Sequence, residues 1–222
     1  MNNCMNIVRL VNLKNCINII IFFFIISCAR FEGLKQVPLL KDKSRSQYEA
    51  FGKKYMISTQ GSATTNAAKF VLAKGGNLFD AAVAASFAIS VERPHSTGIG
   101  GGGFMVLHHA ESGKDIALDF REMAPRMAYS KMFLDKNGKQ VRNKSLTGPF
   151  AVGTPGIVAG VLNIHKKYGK LDLKTVMEPA IKLAEDGMVV YPALSKAIKS
   201  ESKRLCDFPE SKSIFLKSDC SE

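Results

Sequence analysis

Apolar side chains recur at helical spacing in the first part of the chain that has the composition of a folded domain. They do so over 63–74, and the pattern stops at Gly75 and Gly76, a common helix C-terminal signal. A second helix is predicted over 78–91, with Asn77 as N-cap and Asp80 at the third helical position. This segment is rich in alanine and apolar on every side, which predicts a buried helix.

A β-hairpin is predicted next. Residues 104–109 and 116–120 look like two strands, and the turn residues of 111–114 separate them. Arg121 and Glu122 stand where the second strand ends. Pro155 is predicted to open a helix over 155–168, since proline at the first helical position has no amide to lose. Another helical pattern over 173–186 ends at Gly187.

A cluster of glycines joins the buried helix to the hairpin. Five of the six residues in 98–103 are glycine. Glycine is retained in such numbers where the backbone needs a positive φ or where something passes very close to it. The cluster formally satisfies GxGxxG, and Asp119 follows about twenty residues on. A dinucleotide site, however, needs a strand before the loop and a helix after it, and this order is reversed, so nucleotide binding is not predicted.

Composition and charge narrow the function classes. The 222 residues are 46% hydrophobic, as in a globular core, with a formal net charge of +12. The basic residues are scattered among acids, without a run of five and without aromatic interleaving. A solvated basic surface is therefore the interpretation, and no nucleic-acid partner is expected.

The N-terminus has the features of an export signal. Arg9 and Lys14 precede an apolar run over 17–26 that is too short to span a bilayer. Ser27 and Cys28 complete a segment that resembles a bacterial lipobox, which predicts lipidation of Cys28 and membrane attachment through that lipid. A plain secretory signal or an uncleaved anchor are the alternatives. The predicted organisation is a leader over 1–28, a tether over 29–47 and a folded part over 48–222.

The remaining cysteines and the histidines give weaker signals. Cys206 and Cys220 could form one disulfide, or they could be two free thiols. The four histidines show no metal-ligand spacing with cysteine, so no metal site is predicted. His108 and His109 are adjacent at a strand end and should lie on opposite faces.

Several motifs together resemble one family. They are KGGNLFDAAVAA at 74–85, the glycine cluster with the strand after it, and LDFREMAP at 118–125, followed by GTPG at 153–156, YGKL at 168–171 and EPAIKLAEDG at 178–187. In this order and spacing they are similar to gamma-glutamyltranspeptidase, also called glutathione hydrolase, over about 48–193. The resemblance implies an α+β fold, the αββα sandwich of N-terminal nucleophile hydrolases, of which this chain covers only a part.

The family's chemistry sets further expectations. The precursor cuts itself into a large and a small subunit, and the new N-terminal threonine of the small subunit attacks the γ-glutamyl amide without a cofactor. This chain resembles the N-terminal part of the large subunit, so no catalytic residue is expected in it and the fragment alone is expected to be inactive. The expected partners are a γ-glutamyl compound such as glutathione and the C-terminal part with the small subunit. The protein is expected to be exported, either to the bacterial periplasm or as a membrane-anchored lipoprotein.

Arg121 is the one substrate-binding residue that the resemblance implies. It would pair with the α-carboxylate of the γ-glutamyl group, which a guanidinium can hold by two parallel hydrogen bonds. The alternative is a pair with Asp119 or Glu122 beside it. The alternative for the whole chain is a non-catalytic envelope lipoprotein derived from this family.

Overall fold

The structure is a computed structural model that describes residue 50 and residues 52–221. The predicted leader, the Cys28 lipidation site and the tether lie outside these described residues. The described residues from 57 onward form one compact unit, and the following concerns that unit. Within the described ranges, no helix is both long enough and apolar enough to cross a membrane.

Six α-helices and one hairpin make up the described part of this unit. The helices are α1 Ser62–Ala73, α2 Leu78–Glu92, α3 Ile157–Tyr168, α4 Leu173–Asp186, α5 Pro192–Cys206 and α6 Pro209–Phe215. The strands are β1 Phe104–His109 and β2 Lys114–Asp119, and Pro149–Ala151 form a short 3₁₀ turn. The predictions for α1, α2 and α4 are thereby confirmed to within a residue.

The start of α2 follows its sequence signals closely. The Asn77 side chain accepts hydrogen bonds from the amides of Phe79 and Asp80, at 3.0 and 2.9 Å. The Asp80 carboxylate accepts in return from the Asn77 amide at 3.0 Å, which completes a capping box. Leu78 is the one exposed residue of this helix, so the prediction of a buried helix is confirmed.

The hairpin is antiparallel, with Phe104 opposite Asp119 and His109 opposite Lys114. The second strand starts two residues earlier than predicted and ends at Asp119, one residue before the predicted end. Phe120 nevertheless continues the pairing, because its amide donates to the Gly103 carbonyl at 3.0 Å. Met105 and Leu107 contact the core, whereas Val106 and Phe104 are 81% and 66% exposed on the other face.

The core lies around α2, which packs against α1, α3 and α4. Its largest fully buried apolar side chains are Val71, Val83, Val161, Ile164 and Val176. Asp80 is fully buried among them. Its carboxylate accepts from the amides of Lys170 at 3.0 Å and Leu171 at 3.3 Å, besides that of Asn77, so the buried charge is satisfied by backbone donors.

Two features of the second half differ from the sequence-based expectations. Helix α3 starts at Ile157, not at Pro155, because the amides of Gly156 and Ile157 donate to the carbonyl of Gly101 and so fix the start there. Helices α5 and α6 were not predicted at all. Their signal was the proline at the first turn of each, Pro192 and Pro209.

The last described segment is closed by a disulfide. Cys206, at the end of α5, is bonded to Cys220, and their Cα atoms are 5.8 Å apart. The structure thus decides between the two alternatives that the sequence left open for this pair.

Candidate functional site

Three backbone segments meet at the glycine cluster. Gly103 exchanges both hydrogen bonds with Phe120, at 3.0 and 3.3 Å, just beyond the end of the hairpin. The Gly101 carbonyl accepts from the amides of Gly156 and Ile157 at 3.0 and 3.1 Å. The glycine cluster therefore joins the exit of β2 to the first turn of α3.

Close approach, not backbone conformation, explains the glycine at position 102 of this cluster. All five have a φ outside the positive range that favours glycine. A Cβ atom on Gly102 would lie 2.5 Å from the carbonyl oxygen of Phe120 and 2.7 Å from the amide nitrogen of Glu122. On Gly98 and Gly100, by contrast, it would meet nothing within 4 Å. Of the two explanations that the sequence offered, the close passage of another segment is the one observed, and that segment carries Arg121.

Arg121 lies at the exit of β2, and its backbone is fixed on both sides. Before it, Phe120 pairs with Gly103; after it, Met123 and Thr154 exchange two hydrogen bonds, at 3.1 and 2.8 Å. The Arg121 amide itself donates to the Asp119 carboxylate at 2.9 Å. A side chain on such a doubly paired segment has little backbone freedom to lose when it binds a ligand.

The Arg121 guanidinium is exposed and has an acidic neighbour. Its side chain is 59% exposed, and Nε lies 3.4 Å from Oε2 of Glu122. The guanidinium carbon also lies 5.8 Å from the centre of the Phe104 ring. The structure therefore contains the pair with Glu122 that the sequence gave as an alternative. A guanidinium has five N–H donors, so contact at Nε leaves donors for a second carboxylate. The substrate role of Arg121 remains a prediction.

Glu92 is a buried carboxylate at the C-terminal end of α2, the end opposite to Asp80. Glu92 accepts from the amides of Ala63 and Thr64 at 3.1 and 2.8 Å and from the Thr64 hydroxyl at 2.7 Å, and thus caps α1. Burial raises the pKa of this carboxyl, but the hydrogen bonds from Thr64 and Ala63 and the charge of Arg93 outweigh burial, so the pKa lies below its ordinary value of 4.5. This network stabilises the fold, and sequence reasoning missed it because its members are 28 and 29 residues apart.

The histidines of the hairpin have local partners. Nδ1 of His108 lies 2.8 Å from the Asp115 carboxylate, and Nδ1 of His109 lies 2.8 Å from the Ser112 hydroxyl. Within the described residues, no group of three or more histidine, cysteine or acidic side chains is arranged to hold a metal ion. The hairpin histidines therefore give no reason to place a metal beside the glycine cluster.

Comparisons with known proteins agree on one family. The family model described as gamma-glutamyltranspeptidase matches residues 64–221. The glutathione hydrolase proenzyme of Escherichia coli (strain K12) is 43% identical over 166 residues, which are 74% of this chain and 28% of that protein. The glutathione hydrolase proenzyme of Bacillus subtilis (strain 168) is 38% identical over 177 residues, 78% of this chain and 30% of that protein. This chain thus spans less than a third of the length of these relatives.

Solved structures support the same conclusion. Helicobacter pylori gamma-glutamyltranspeptidase superposes with a TM-score of 0.74 at 40% identity, over 78% of this chain and 50% of that chain. The enzyme from Pseudomonas nitroreducens, solved in complex with L-DON, gives 0.69 at 33% identity, over 74% of this chain and 49% of that chain. The predicted α+β fold class of N-terminal nucleophile hydrolases, only partly covered by this chain, is thereby confirmed.

Proposed function

This chain belongs to the gamma-glutamyltranspeptidase family, and from that premise we propose that it is the N-terminal part of the large subunit of an enzyme that cleaves or transfers γ-glutamyl groups. Its substrates would be glutathione and related γ-glutamyl amides. The nucleophile, an N-terminal threonine, would belong to the part of the family that this chain does not span. Its hydroxyl would attack the amide, and water or an amino acid would resolve the acyl-enzyme.

Arg121 would supply the substrate contact made by this chain. The observation that carries this assignment is the exposed guanidinium on a segment that backbone pairs fix on both sides. A carboxylate docked on its free donors would form two parallel, charge-assisted hydrogen bonds. Glu122 would hold the Nε edge of the guanidinium and so fix its plane. Because the α-carboxylate is remote from the scissile amide, this contact would position the substrate for attack.

The remainder of the enzyme would cover the outward face of the hairpin. Phe104 and Val106 are exposed there, and Met123, just beyond the strand, is 69% exposed. Exposed apolar groups of this size on a two-stranded sheet are typical of a surface that another part of the protein covers. In a sandwich of two sheets, that cover would be the second sheet.

The test of this function is complementation. The chain is co-expressed with a C-terminal complement taken from a relative, and release of product from a γ-glutamyl anilide is followed. We expect turnover in the complex and none from the chain alone. Arg121→Ala should lower kcat/KM by about 100-fold or more, mainly through KM, because a charged substrate group loses its partner. Arg121→Lys should also be impaired, because lysine cannot form the bidentate pair.

Arg126→Ala is the matched control, since Arg126 is an exposed arginine of the following loop. Its kinetics should equal those of the parent complex. Full turnover of Arg121→Ala would refute the substrate-binding role of Arg121 but not the enzymatic proposal. An assembled complex that never releases product would refute the enzymatic proposal and favour a non-catalytic envelope lipoprotein.

Export and lipidation at Cys28 belong to the same proposal. The Cys206–Cys220 disulfide supports export but not lipidation, because disulfides persist in oxidising compartments such as the periplasm. In cells fed a labelled fatty acid, the chain should become labelled and Cys28→Ala should not. Equal labelling of both would refute lipidation at Cys28.

A further inference from the structure

The Cys206–Cys220 bond closes a short loop with no fully buried helical residue. The two cysteines are 14 residues apart, and α6 lies between them. No residue of α6 is buried, and α5 buries only Leu194. Few fully buried side chains therefore hold this segment, and the cross-link adds to its order because it removes the entropy of the open loop.

The bond is accessible to small molecules in solution. Cys206 and Cys220 are both half-buried, and the residues next to them, Asp207 and Asp219, are exposed. Cys220 lies in a tight turn, where its amide donates to the Lys217 carbonyl at 3.0 Å. A thiolate attached to a small peptide can approach such a partly exposed bond.

The closed loop also forms part of a cavity wall. Phe215 within the loop and Leu205 just before it line a cavity of about 340 Å³ together with Leu194. Its far wall includes Pro94 and His95, which lead from α2 into the glycine cluster.

We propose that the Cys206–Cys220 disulfide is an exchange site for low-molecular-weight thiols, and that its reduction releases α6 from α5. A thiolate attacks one sulfur and forms a mixed disulfide, and the other cysteine leaves as a thiolate that takes up the proton of the attacking thiol. A second thiol attacks the mixed disulfide, which yields the second cysteine thiol and a low-molecular-weight disulfide. In sum, two thiols are oxidised and the protein bond gains two electrons and two protons.

The test uses the full chain with Cys4, Cys16 and Cys28 replaced by serine, so that only the paired cysteines remain. The protein is held without denaturant in buffers of varied ratio of reduced to oxidised glutathione, quenched in acid, alkylated and mapped by mass spectrometry. We expect a linked pair in oxidised buffer, two alkylated cysteines in reduced buffer, and a glutathione adduct on one cysteine in between.

Cleavage by trypsin reports whether the loop opens, because the loop contains two positions that trypsin can cleave, Lys212 and Lys217. Closing a loop of this length changes the equilibrium between open and ordered forms on the order of 100-fold. Cleavage there should be at least about tenfold faster after reduction. Cleavage after the exposed Lys136 and Lys139 should not change, which makes them internal controls.

Cys206→Ser with Cys220→Ser should give the fast cleavage in both buffers. Three results would overturn the proposal: free thiols in fully oxidised buffer, a disulfide that persists in excess reduced glutathione, or a rate of loop cleavage that is the same in oxidised and reduced buffer. None of these outcomes depends on γ-glutamyl chemistry, so the result is distinct from that of the complementation test.

Discussion

Alanine substitutions at two glycines of the same cluster should change stability in opposite directions. A Cβ on Gly102 would lie 2.5 Å from the Phe120 oxygen, whereas ordinary contacts begin at 3.4 Å, so one backbone segment must move by about 0.9 Å. The neighbouring atoms belong to the backbone and cannot rotate away. Such overpacking costs about 1–3 kcal/mol. Gly100→Ala meets nothing within 4 Å and should instead gain about 0.4–1 kcal/mol, because alanine has less freedom in the unfolded chain.

Urea unfolding followed by far-ultraviolet circular dichroism measures both variants, since the chain has no tryptophan to report by fluorescence. With a slope of about 2 kcal/mol/M, the midpoint for Gly102→Ala should fall by about 0.5–1.5 M, and that for Gly100→Ala should rise by about 0.2–0.5 M. Equal shifts in one direction would refute the explanation by close approach. In the complementation assay, Gly102→Ala should also raise KM, because the displaced segment carries Arg121.

Three further predictions use the same urea assay. Glu92→Gln should lower the free energy of unfolding by about 1.5–3 kcal/mol at pH 7. The pKa of Glu92 is lower in the folded protein than its ordinary value of 4.5, so its contribution to stability is fully present above pH 4.5 and is lost as the pH falls through the folded pKa. The difference in the free energy of unfolding between parent and variant should therefore shrink in acid. A difference that stays constant with pH would contradict this. Asp80→Asn should lower the free energy of unfolding by about 3 kcal/mol, because the single oxygen of the asparagine side chain cannot accept from all the backbone N–H groups that the carboxylate serves. The control is the exposed Asp115→Asn, which should change stability by less than about 0.5 kcal/mol. Gly187→Ala should cost about 1–3 kcal/mol, since its φ of 78° and ψ of 178° suit only glycine, and no loss would refute that conformation.

The sequence predicted what is encoded locally. The capping residues Asn77 and Asp80 and the glycine after α4 are signals within one helical turn, and they placed the helix ends correctly. The predicted start of α3 was wrong because Gly101, more than fifty residues away, accepts the hydrogen bonds that fix it. Helix α5 buries a single residue, so its apolar pattern was too weak to recognise.

The candidate site, too, was predicted from the sequence only where its signals are local. A glycine cluster beside an arginine at a strand end is visible in the sequence, and it predicted that something passes close to the backbone. That the passing segment is the one carrying Arg121 required the fold. The position of Glu92 at the start of α1 likewise depends on how α1 and α2 pack, which no local pattern reports.

The burial of Asp80 has a consequence for the order of events during synthesis. Its partner Lys170 follows 90 residues later in the chain. At a translation rate of about 5–20 residues per second, the ribosome needs roughly 5–20 s to add that stretch. Until then the pair formed by α1 and α2 has a carboxylate without its distant donors, on the side where α3 must dock. Nascent chains should therefore resist protease only after the start of α4 has emerged from the ribosome.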